Sequence, residues 1–459
     1  MKITLCGAAK IVSGSCYLVE VGTTKFLIDC GMLQGPKEIT KMNYDPFKFN
    51  ASEIDFVLLT HAHIDHSGLL PKLRLNGFRG QIYTTAATRD FVEILLQDSA
   101  KIQEENIEQE NRSRQRTGQK PRQPLYSPLD AEKTMELFAP IEYRTFRQIT
   151  ENITVRYQDA GHILGSASIE LFVTEGDKKT KIVFSGDIGQ WNTPIVQDPT
   201  LIAEADYVFM ESTYGDRLHE DVDNKEELLL KYVTDTYKRG GRLMIPSFAV
   251  ERTQELLYFF NKMIISGKFP QERIFLDSPL AIKATELFKK HKECYDSEAI
   301  KEYTSPFTPQ YLECLDSAQD SQRINKYDKP CIVIAGNGMC SAGRILHHLK
   351  HGLWDHKNTL LFVGYQAEWT LGRTILEGEK RVRVLGLDIV VKADIAKISS
   401  FSGHADANQL VKWASGFTTK PKKVFITHGE GSAQTTLQSN LAKIGLESYI
   451  PSMGEVIEL

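Results

Sequence analysis

Short apolar or alternating runs, each ending near a glycine-containing turn, dominate the first two hundred residues of the chain. Runs of this length and alternation are typical of β-strands. A longer helical pattern, over residues 87–110, interrupts them. The pattern predicts a β-rich body. The runs that fit strands cover residues 2–6, 16–21, 25–29, 81–85, 153–157 and 181–185.

A different pattern begins near residue 205, where strand-like runs alternate with helical stretches. This alternation is typical of βαβ units, and it predicts a parallel, doubly wound sheet. Strand–loop units return near residue 395, so the middle segment fits an inserted α/β domain. The predicted parts are 1–207, 208–394 and 395–459. The strand runs of the insert cover 207–210, 242–245, 273–276, 331–335 and 360–363, and its helical stretches cover 224–238, 250–264, 280–291 and 342–350.

Composition narrows the class of protein. A hydrophobic fraction of 41% and a charged fraction of 25% are those of an ordinary water-soluble chain. The net charge of -4 gives no sign of a nucleic-acid protein, although a local basic cleft or bound cations could supply the field. No apolar run reaches membrane length, and the N-terminus fits a strand rather than a signal peptide. The seven cysteines form no CxxC pair, which favours reduced thiols and a cytoplasmic location.

The densest cluster of reactive side chains is His61-Ala62-His63-Ile64-Asp65-His66, directly after the apolar run 54–60. Imidazole and carboxylate are the ligands that suit zinc and similar metals. His61 and His63 could bind one ion, while Asp65 and His66 could face a second. A polar loop with chance histidines is the alternative, but three of the 12 histidines lie within these six positions. The cluster therefore predicts a metal site.

The same arrangement recurs along the chain, because other β-rich runs also end in a turn that carries a histidine or a carboxylate. Strand ends on one rim of a sheet can bring such side chains together. Asp29 alone could equally be an ordinary turn former. A hydrolase with two metal ions is the function that this pattern favours. The further strand-end residues are Asp29, His162, Asp187, Glu211, His404 and His428.

The HxHxDH motif with the later His162, Asp187 and His428 resembles the metallo-β-lactamase fold. The whole chain looks like its β-CASP branch, the nucleic-acid-processing nucleases that include the pre-mRNA 3′-end endonuclease and the ribonuclease J group. The resemblance implies an αββα sandwich made of residues 1–207 and 395–459. It also implies that 208–394 is the inserted α/β (β-CASP) domain.

When the functional residues of the family are matched to this chain one by one, the resemblance implies two metal ions, Zn²⁺ with Mn²⁺ as an alternative. Glu211 matches the first β-CASP motif and His404 the second. The ions would make hydroxide available at neutral pH, while His404, oriented by Glu211, protonates the leaving ribose 3′-oxygen. Asp65 is placed among the catalytic residues as well as the ligands. One ion would be held by His61, His63 and His162, the other by Asp65, His66 and His428, with Asp187 bridging both and Asp29 orienting a ligand imidazole.

Candidate RNA contacts lie in the insert and just after it. In the segment 335–344, glycines join a strand to a helix, which allows close approach of a phosphate. We interpret this segment as a cradle for the RNA backbone; a plain β–α turn is the alternative. Ser402 resembles a phosphate contact of the family. The candidate substrate-binding residues are Ser341, Gly343, Arg344 and Ser402.

Other charged segments favour ordinary surface roles. The basic stretch from Arg112 to Arg122 fits a surface loop balancing nearby glutamates, with phosphate contact as the alternative. Arg252 and Arg373 fit ion pairs. His347, His348 and His351 share one predicted helix, and we expect a solvated face there.

The resemblance implies RNA as substrate, no membrane partner, and a homodimer or an RNA-processing complex as the assembly. Three other functions stay open: a DNA nuclease, a small-ester hydrolase of the same superfamily, and a non-catalytic subunit of a processing complex. A non-catalytic subunit should have lost ligands, whereas every expected ligand is present in this chain.

Overall fold

Two compact units make up the protein in a computed structural model that describes residues 1–220, 224–296, 306–367 and 369–459. The sandwich unit contains residues 1–218 and 404–459, and the insert unit contains residues 219–403. The predicted domain boundaries at 207/208 and 394/395 stay predictions beside this division. Within the described residues, none of the helices has both the length and the apolar character needed to cross a membrane.

Strands are numbered here in chain order. Three of them, at 56–58, 331–335 and 359–362, are wholly buried and rich in branched and aromatic residues, the composition expected of strands covered on both faces. The strands are β1 Lys2–Leu5, β2 Tyr17–Val21, β3 Thr24–Ile28, β4 Phe56–Leu58, β5 Gln81–Thr84, β6 Phe138–Pro140, β7 Phe146–Thr150, β8 Ile153–Asp159, β9 Ala167–Glu175, β10 Lys178–Phe184, β11 Tyr207–Glu211, β12 Arg242–Pro246, β13 Arg273–Asp277, β14 Leu312–Cys314, β15 Cys331–Ala335, β16 Thr359–Phe362, β17 Arg381–Val384, β18 Leu387–Val390, β19 Asp394–Lys397, β20 Lys423–Thr427, β21 Ser448–Tyr449 and β22 Val456–Glu458.

The α-helices are numbered in the same way, and several begin at a side-chain cap. Thr85, for example, accepts a hydrogen bond from the backbone N–H of Thr88 at the start of α4. They are α1 Lys37–Thr40, α2 Ile64–Ser67, α3 Leu70–Leu75, α4 Ala86–Arg116, α5 Pro128–Thr134, α6 Lys225–Lys238, α7 Arg252–Ile265, α8 Pro279–Lys290, α9 Ala318–Ile324, α10 Ile345–Gly352, α11 Leu371–Leu376, α12 Ala407–Ala414 and α13 Gly431–Lys443.

Two seven-stranded sheets face each other in the sandwich unit. Their orders are β22-β1-β2-β3-β4-β5-β6 and β21-β20-β11-β10-β9-β8-β7. Apolar side chains from both sheets meet in one core, including Phe26, Tyr157 and Phe209. Helices α12 and α13 bury Trp413 and Leu437 against the second sheet, and α4 contacts β6 of the first. The predicted αββα sandwich is confirmed.

Parallel pairing places several strand ends on one rim of the sandwich unit. In the first sheet β3, β4 and β5 are mutually parallel, and in the second β10, β11 and β20 are. Asp29 follows β3, the HxHxDH segment follows β4, and Asp187 follows β10. The carboxyl ends of parallel strands are where an α/β protein collects its ligand-binding side chains.

The insert unit contains a six-stranded sheet of order β14-β13-β15-β12-β16-β19. Every neighbouring pair in it is parallel, and helices connect most of the strands. The predicted inserted α/β domain with a parallel sheet is confirmed. A separate hairpin, β17–β18, packs Val382 and Val384 into the same core.

Helix α4 is longer than the predicted 87–110, since it continues to Arg116. The extra turns are stabilised by ion pairs at i,i+4 spacing, Arg112 with Glu108 and Arg114 with Glu110. Arg122 also pairs with Glu110, at 3.3 Å. The predicted balancing of glutamates is confirmed for these three arginines, but the predicted loop is wrong for Arg112 and Arg114, which lie on the helix.

Glu272, just before β13, gives a prediction on stability. Its side chain is buried, and within the described residues its Oε1 accepts no hydrogen bond, so burial raises its pKa to about 8. The folded protein therefore holds this proton more tightly than the unfolded chain, and the free energy of unfolding should fall as the pH rises from about 4.5 to 8. We expect Glu272→Gln to raise the melting temperature at pH 8 by a few degrees, since about 1 kcal/mol corresponds to 2–4 °C, with no gain at pH 4.5. Melting curves at both pH values test this, and an equal gain at both would contradict it.

Candidate metal centre

Three imidazoles and one carboxylate meet in the first group of the site. His61 Nε2 lies 3.2 Å from His63 Nδ1, and His162 Nε2 lies 3.1 Å from the same atom. Asp187 Oδ2 lies 3.5 Å from Nε2 of both His61 and His162. The four candidate ligand atoms all fall within 4.8 Å of one another. The structure thus brings together the predicted first ligand set.

The second group joins Asp65, His66 and His428. His66 Nε2 lies 3.3 Å from His428 Nε2, which is 3.4 Å from Asp65 Oδ2. Asp187 faces this group through its other oxygen, because Oδ1 lies 3.3 Å from His66 Nε2 and 3.4 Å from His428 Nδ1. Asp187 therefore faces both groups, one with each carboxylate oxygen.

The electrostatics of the first group fit a divalent cation. Burial, reinforced by the nearby His66, holds the pKa of His61 well below its usual range, and burial lowers that of His63 to about 4. Neutral imidazoles whose nitrogens converge at 3.1–3.2 Å direct their lone pairs at one space. Asp187 Oδ1 is buried and accepts no aligned hydrogen bond from the described residues. Nitrogen and carboxylate donors arranged in this way are the ligand set of zinc and related metals.

Burial disfavours the charged forms of Asp187, Asp65 and His66, but the charged groups around them outweigh this effect. The surrounding histidines, His428 first, hold the pKa of Asp187 well below its usual range, and a hydrogen bond from His428 lowers that of Asp65 to about 2. Asp187 and Asp29 together raise the pKa of His66 well above its usual range. Both aspartates are therefore ionised near neutral pH, the form that binds a cation.

Asp29 lies behind His66 and fixes its orientation. His66 Nδ1 lies 2.6 Å from Asp29 Oδ2, so the proton sits on Nδ1 and Nε2 points into the second group. The carboxylate is held in turn by the Thr60 backbone N–H at 2.8 Å and by the Ser15 hydroxyl at 3.2 Å. Asp29 occupies the position that the predicted orienting role requires.

Glu211 and His404 form a separate pair beside Asp187. His404 Nδ1 lies 3.3 Å from Glu211 Oε1 and 3.9 Å from Asp187 Oδ2. Glu211 is itself fixed by the backbone N–H groups of Ile188 and Thr213. Burial opposes a charge on His404, but Glu211 and Asp187 outweigh it and raise its pKa to about 9. A cationic imidazole held in this way can donate a proton.

Close loop packing keeps these side chains in place. Gly189 approaches the His162 loop so closely that a Cβ there would lie 1.6 Å from the carbonyl oxygen of Gly161. Gly31 approaches the HxHxDH segment equally closely, since a Cβ there would lie 1.7 Å from the carbonyl oxygen of Asp65. Only glycine fits at these two positions, and the contacts join strand-end loops that are distant in sequence.

Sequence reasoning missed the hydroxyl residues of the site, two of which contact ligand imidazoles. Thr60 Oγ1 contacts Asp29 at 3.0 Å and His61 Nδ1 at 3.1 Å. Thr213 Oγ1 lies 3.2 Å from His428 Nδ1. The only feature of the sequence that could have indicated Thr60 is its position directly before His61. No such feature indicated Thr213, because its partner is 215 residues away.

The candidate substrate residues all follow strands of the parallel sheet of the insert unit. Ser341, Gly343 and Arg344 follow β15, and Ser402 follows β19, so all four lie beyond the same edge of that sheet. Ser341 and Gly343 are exposed. Arg344 lies 2.7 Å from Asp277 and also donates to the carbonyls of Leu315 and Asp316. Those three contacts give Arg344 a role in positioning the loop, and its phosphate contact stays a prediction.

The expectation of a solvated histidine face on α10 is wrong for His348. This residue is buried, and its Nε2 lies 2.6 Å from Oδ2 of the equally buried Asp277. Ser321 donates to the same oxygen. The carboxylate lies 71 residues from His348, so the helix pattern could not reveal it. Arg252 and Arg373 form the expected ion pairs, with Glu255 and Glu377.

Family models match three segments of the chain. Residues 9–199 match the metallo-beta-lactamase superfamily, residues 253–375 match the Beta-Casp domain, and residues 388–451 match the Zn-dependent metallo-hydrolase RNA specificity domain. The first and last segments contain every predicted metal ligand. The Beta-Casp match covers the exposed glycine-rich loop of the insert unit.

Whole-chain comparisons agree with these matches. The chain is 37% identical to Ribonuclease TTHA0252 of Thermus thermophilus, over 99% of each chain. It is 32% identical to an RNase J-like protein of Methanocaldococcus jannaschii, over 99% of this chain and 98% of the relative. It is also 32% identical to the transcription termination factor FttA of Methanosarcina mazei, over 96% of this chain and 69% of that protein. A crystal structure of a protein of unknown function from Enterococcus faecalis V583 has the same fold, with a TM-score of 0.58 at 13% identity over 100% of this chain and 99% of that one.

Proposed function

This chain belongs to the β-CASP ribonuclease family of the metallo-β-lactamase superfamily, and we propose that it hydrolyses RNA phosphodiester bonds at the metal centre of the sandwich unit. The observation that carries the proposal is Asp187, whose two oxygens face two separate groups of ligand atoms. A site built for a pair of cations suits in-line displacement at phosphorus, where both the attacking and the leaving oxygen need stabilisation.

We propose Zn²⁺ as the physiological ion, with Mn²⁺ as the alternative. His61, His63 and His162 would hold one ion and Asp65, His66 and His428 the other, with Asp187 shared. Bound there, the ions would supply a hydroxide nucleophile at neutral pH and neutralise charge on the phosphate. Five histidines in the two groups favour zinc over magnesium or calcium, which prefer oxygen ligands.

His404 acts in this proposal as the general acid for the leaving ribose 3′-oxygen. Its Nδ1 faces Glu211, so Nε2 is the atom we assign to the proton transfer. Glu211 keeps the ring oriented, and its backbone contacts to Ile188 and Thr213 hold the carboxylate in place. Hydroxide formed from water adds to phosphorus, the P–O3′ bond breaks and the 3′-oxygen takes the proton from His404; the proton that the water released returns through solvent to His404. The products carry a 5′-phosphate and a 3′-hydroxyl.

The decisive experiment offers purified protein end-labelled single-stranded RNA, the matching DNA and a thioester. We expect metal-dependent cleavage of RNA, loss of cleavage with a chelator, and recovery with Zn²⁺ or Mn²⁺. Internal cuts would identify an endonuclease and stepwise loss from one end an exonuclease. Metal-loaded protein that leaves RNA intact but cleaves DNA or the thioester would establish one of the rival functions instead. We propose further that the protein acts in the cytoplasm, as a homodimer or as part of an RNA-processing complex.

Asp29→Asn should weaken metal binding without unfolding the protein. The substitution keeps the shape of the side chain but removes the charge that fixes the His66 tautomer. Loss of such an outer hydrogen-bond partner typically lowers metal affinity by about 10–100-fold. Competition with a chromogenic chelator measures this, and Asp388→Asn, at an exposed carboxylate of the β17–β18 hairpin, is the matched control. Equal affinities in the two variants would contradict the role of Asp29.

A further inference from the structure

We propose that Phe248 and Trp369 form a base-stacking surface that holds single-stranded RNA on the insert unit. The inference rests on the proposed function, because it assigns a role in binding the same substrate. No sequence motif indicated either residue.

Topology brings the two aromatic residues to one edge. Strands β15, β12 and β16 are consecutive in the parallel sheet, so their carboxyl ends lie side by side. Phe248 follows β12, the glycine-rich loop 336–344 follows β15, and Trp369 lies in the segment after β16. Loops at the carboxyl ends of adjacent parallel strands are the usual ligand-binding position of such sheets.

Direct contacts fix both neighbouring segments to the glycine-rich loop. The Gly372 backbone N–H donates to the carbonyl of Met339 at 3.2 Å, and Gln366 Nε2 donates to the carbonyl of Gly338 at 2.9 Å. The ring of Phe248 covers Gly338 so closely that a Cβ there would lie 2.9 Å from it. Both aromatic residues are therefore held beside the glycine-rich loop, in which residues 341–343 are exposed.

Phe248 and Trp369 belong to the group of aromatic residues whose side chains are open to solvent. Trp369 is 60% exposed and Phe248 44%, whereas Trp191 and Trp413 are 8% and 1% exposed. Aromatic faces left open to solvent beside a glycine-containing loop match the way proteins hold single strands, by stacking bases without reading their sequence. The loop 336–344 contains no acidic residue, and its one arginine, Arg344, is already paired with Asp277, so the open ring faces are what favour single-stranded RNA as the occupant.

Binding assays with chelator-treated protein test the surface without cleavage of the RNA. We expect Trp369→Ala to weaken binding of a short oligoribonucleotide by about 5- to 100-fold, the range that follows from stacking one base. Trp369→Phe should keep most of the affinity, because phenylalanine also stacks. Trp354→Ala is the matched control: this tryptophan is 55% exposed but follows α10, next to Leu353, whose carbonyl accepts the Lys392 N–H before β19 begins. It therefore lies at the opposite edge of the sheet.

An abasic scan separates stacking from a merely structural effect. The native protein should bind an oligonucleotide more weakly when the base at one particular position is missing. In Trp369→Ala, removal of that same base should no longer lower the affinity. RNA should also quench tryptophan emission in Trp354→Phe but markedly less in Trp369→Phe. Equal binding by Trp369→Ala and the native protein, or equal losses with Trp354→Ala, would overturn the proposal.

The two proposals fail separately. If the protein cleaves RNA but its affinity for RNA does not depend on Trp369, the stacking surface is wrong and the ribonuclease proposal stands. If it binds RNA through Trp369 but, fully loaded with metal, leaves RNA intact, the hydrolytic function is wrong and the stacking surface stands.

Discussion

Replacing Asp187 with alanine should lower RNA hydrolysis by at least the roughly 10²–10³-fold that loss of one electrostatic stabiliser costs. Asp187 is buried, and each of its oxygens faces one group of ligand atoms. Its removal also leaves five neighbouring imidazoles without the negative charge that draws cations between them. We therefore expect the protein to lose bound metal together with activity. Elemental analysis of the purified variant and initial rates on labelled RNA measure the two effects.

Asp206→Ala is the control for this experiment, since Asp206 forms a surface ion pair with Lys422 and contacts neither ligand group. It should keep its metal and its rate within a few fold. A variant at Asp187 with full metal content and near-native turnover would contradict the shared position of this carboxylate.

Replacing His404 with alanine should lower turnover by about 10²–10⁴-fold, the usual contribution of a general acid, and leave both metals in place. The expectation follows from the geometry, because His404 is held by Glu211 outside the two ligand groups. Glu211→Gln should have a smaller effect in the same direction, since the amide still accepts a hydrogen bond but no longer stabilises the imidazolium. Single-turnover rates on RNA, with metal content measured in parallel, compare the variants.

Unchanged turnover on RNA would remove His404 from the proton transfer. Loss of metal in His404→Ala would instead identify the residue as a ligand. A substrate whose leaving 3′-oxygen is replaced by sulfur, which leaves without a proton, gives an independent measurement. It should restore much of the rate lost in His404→Ala and little of the rate lost in Asp187→Ala.

The sequence predicted most of the site because its residue types recur at strand ends. His61, His63, Asp65 and His66 are adjacent in the chain, so their spacing alone indicated a metal site. Asp29, His162 and Asp187 were found because each follows a β-rich run, and parallel strands end on one rim. Grouping these residues into two ligand sets needed the family resemblance, because sequence distance says nothing about which strands are neighbours.

Contacts between distant elements could not be predicted. Nothing in the chain pairs Asp277 with His348 or Thr213 with His428, because these contacts depend on the order of strands in a sheet. Exposure is equally hidden from a single sequence. Trp369 and Trp413 are the same residue type in mixed apolar surroundings, yet one is open to solvent and the other lies in the core.

All seven candidate metal ligands come from the sandwich unit, whereas Ser341, Gly343, Phe248 and Trp369 belong to the insert unit. The proposed reaction chemistry and the proposed substrate contacts are thus encoded in separate stretches of the gene. Substitutions between residues 219 and 403 can change the affinity for RNA, the length of the bound RNA strand or the choice of partner while the metal chemistry stays the same. Relatives with different RNA targets are therefore expected to diverge fastest in the loops at the carboxyl edge of the six-stranded sheet.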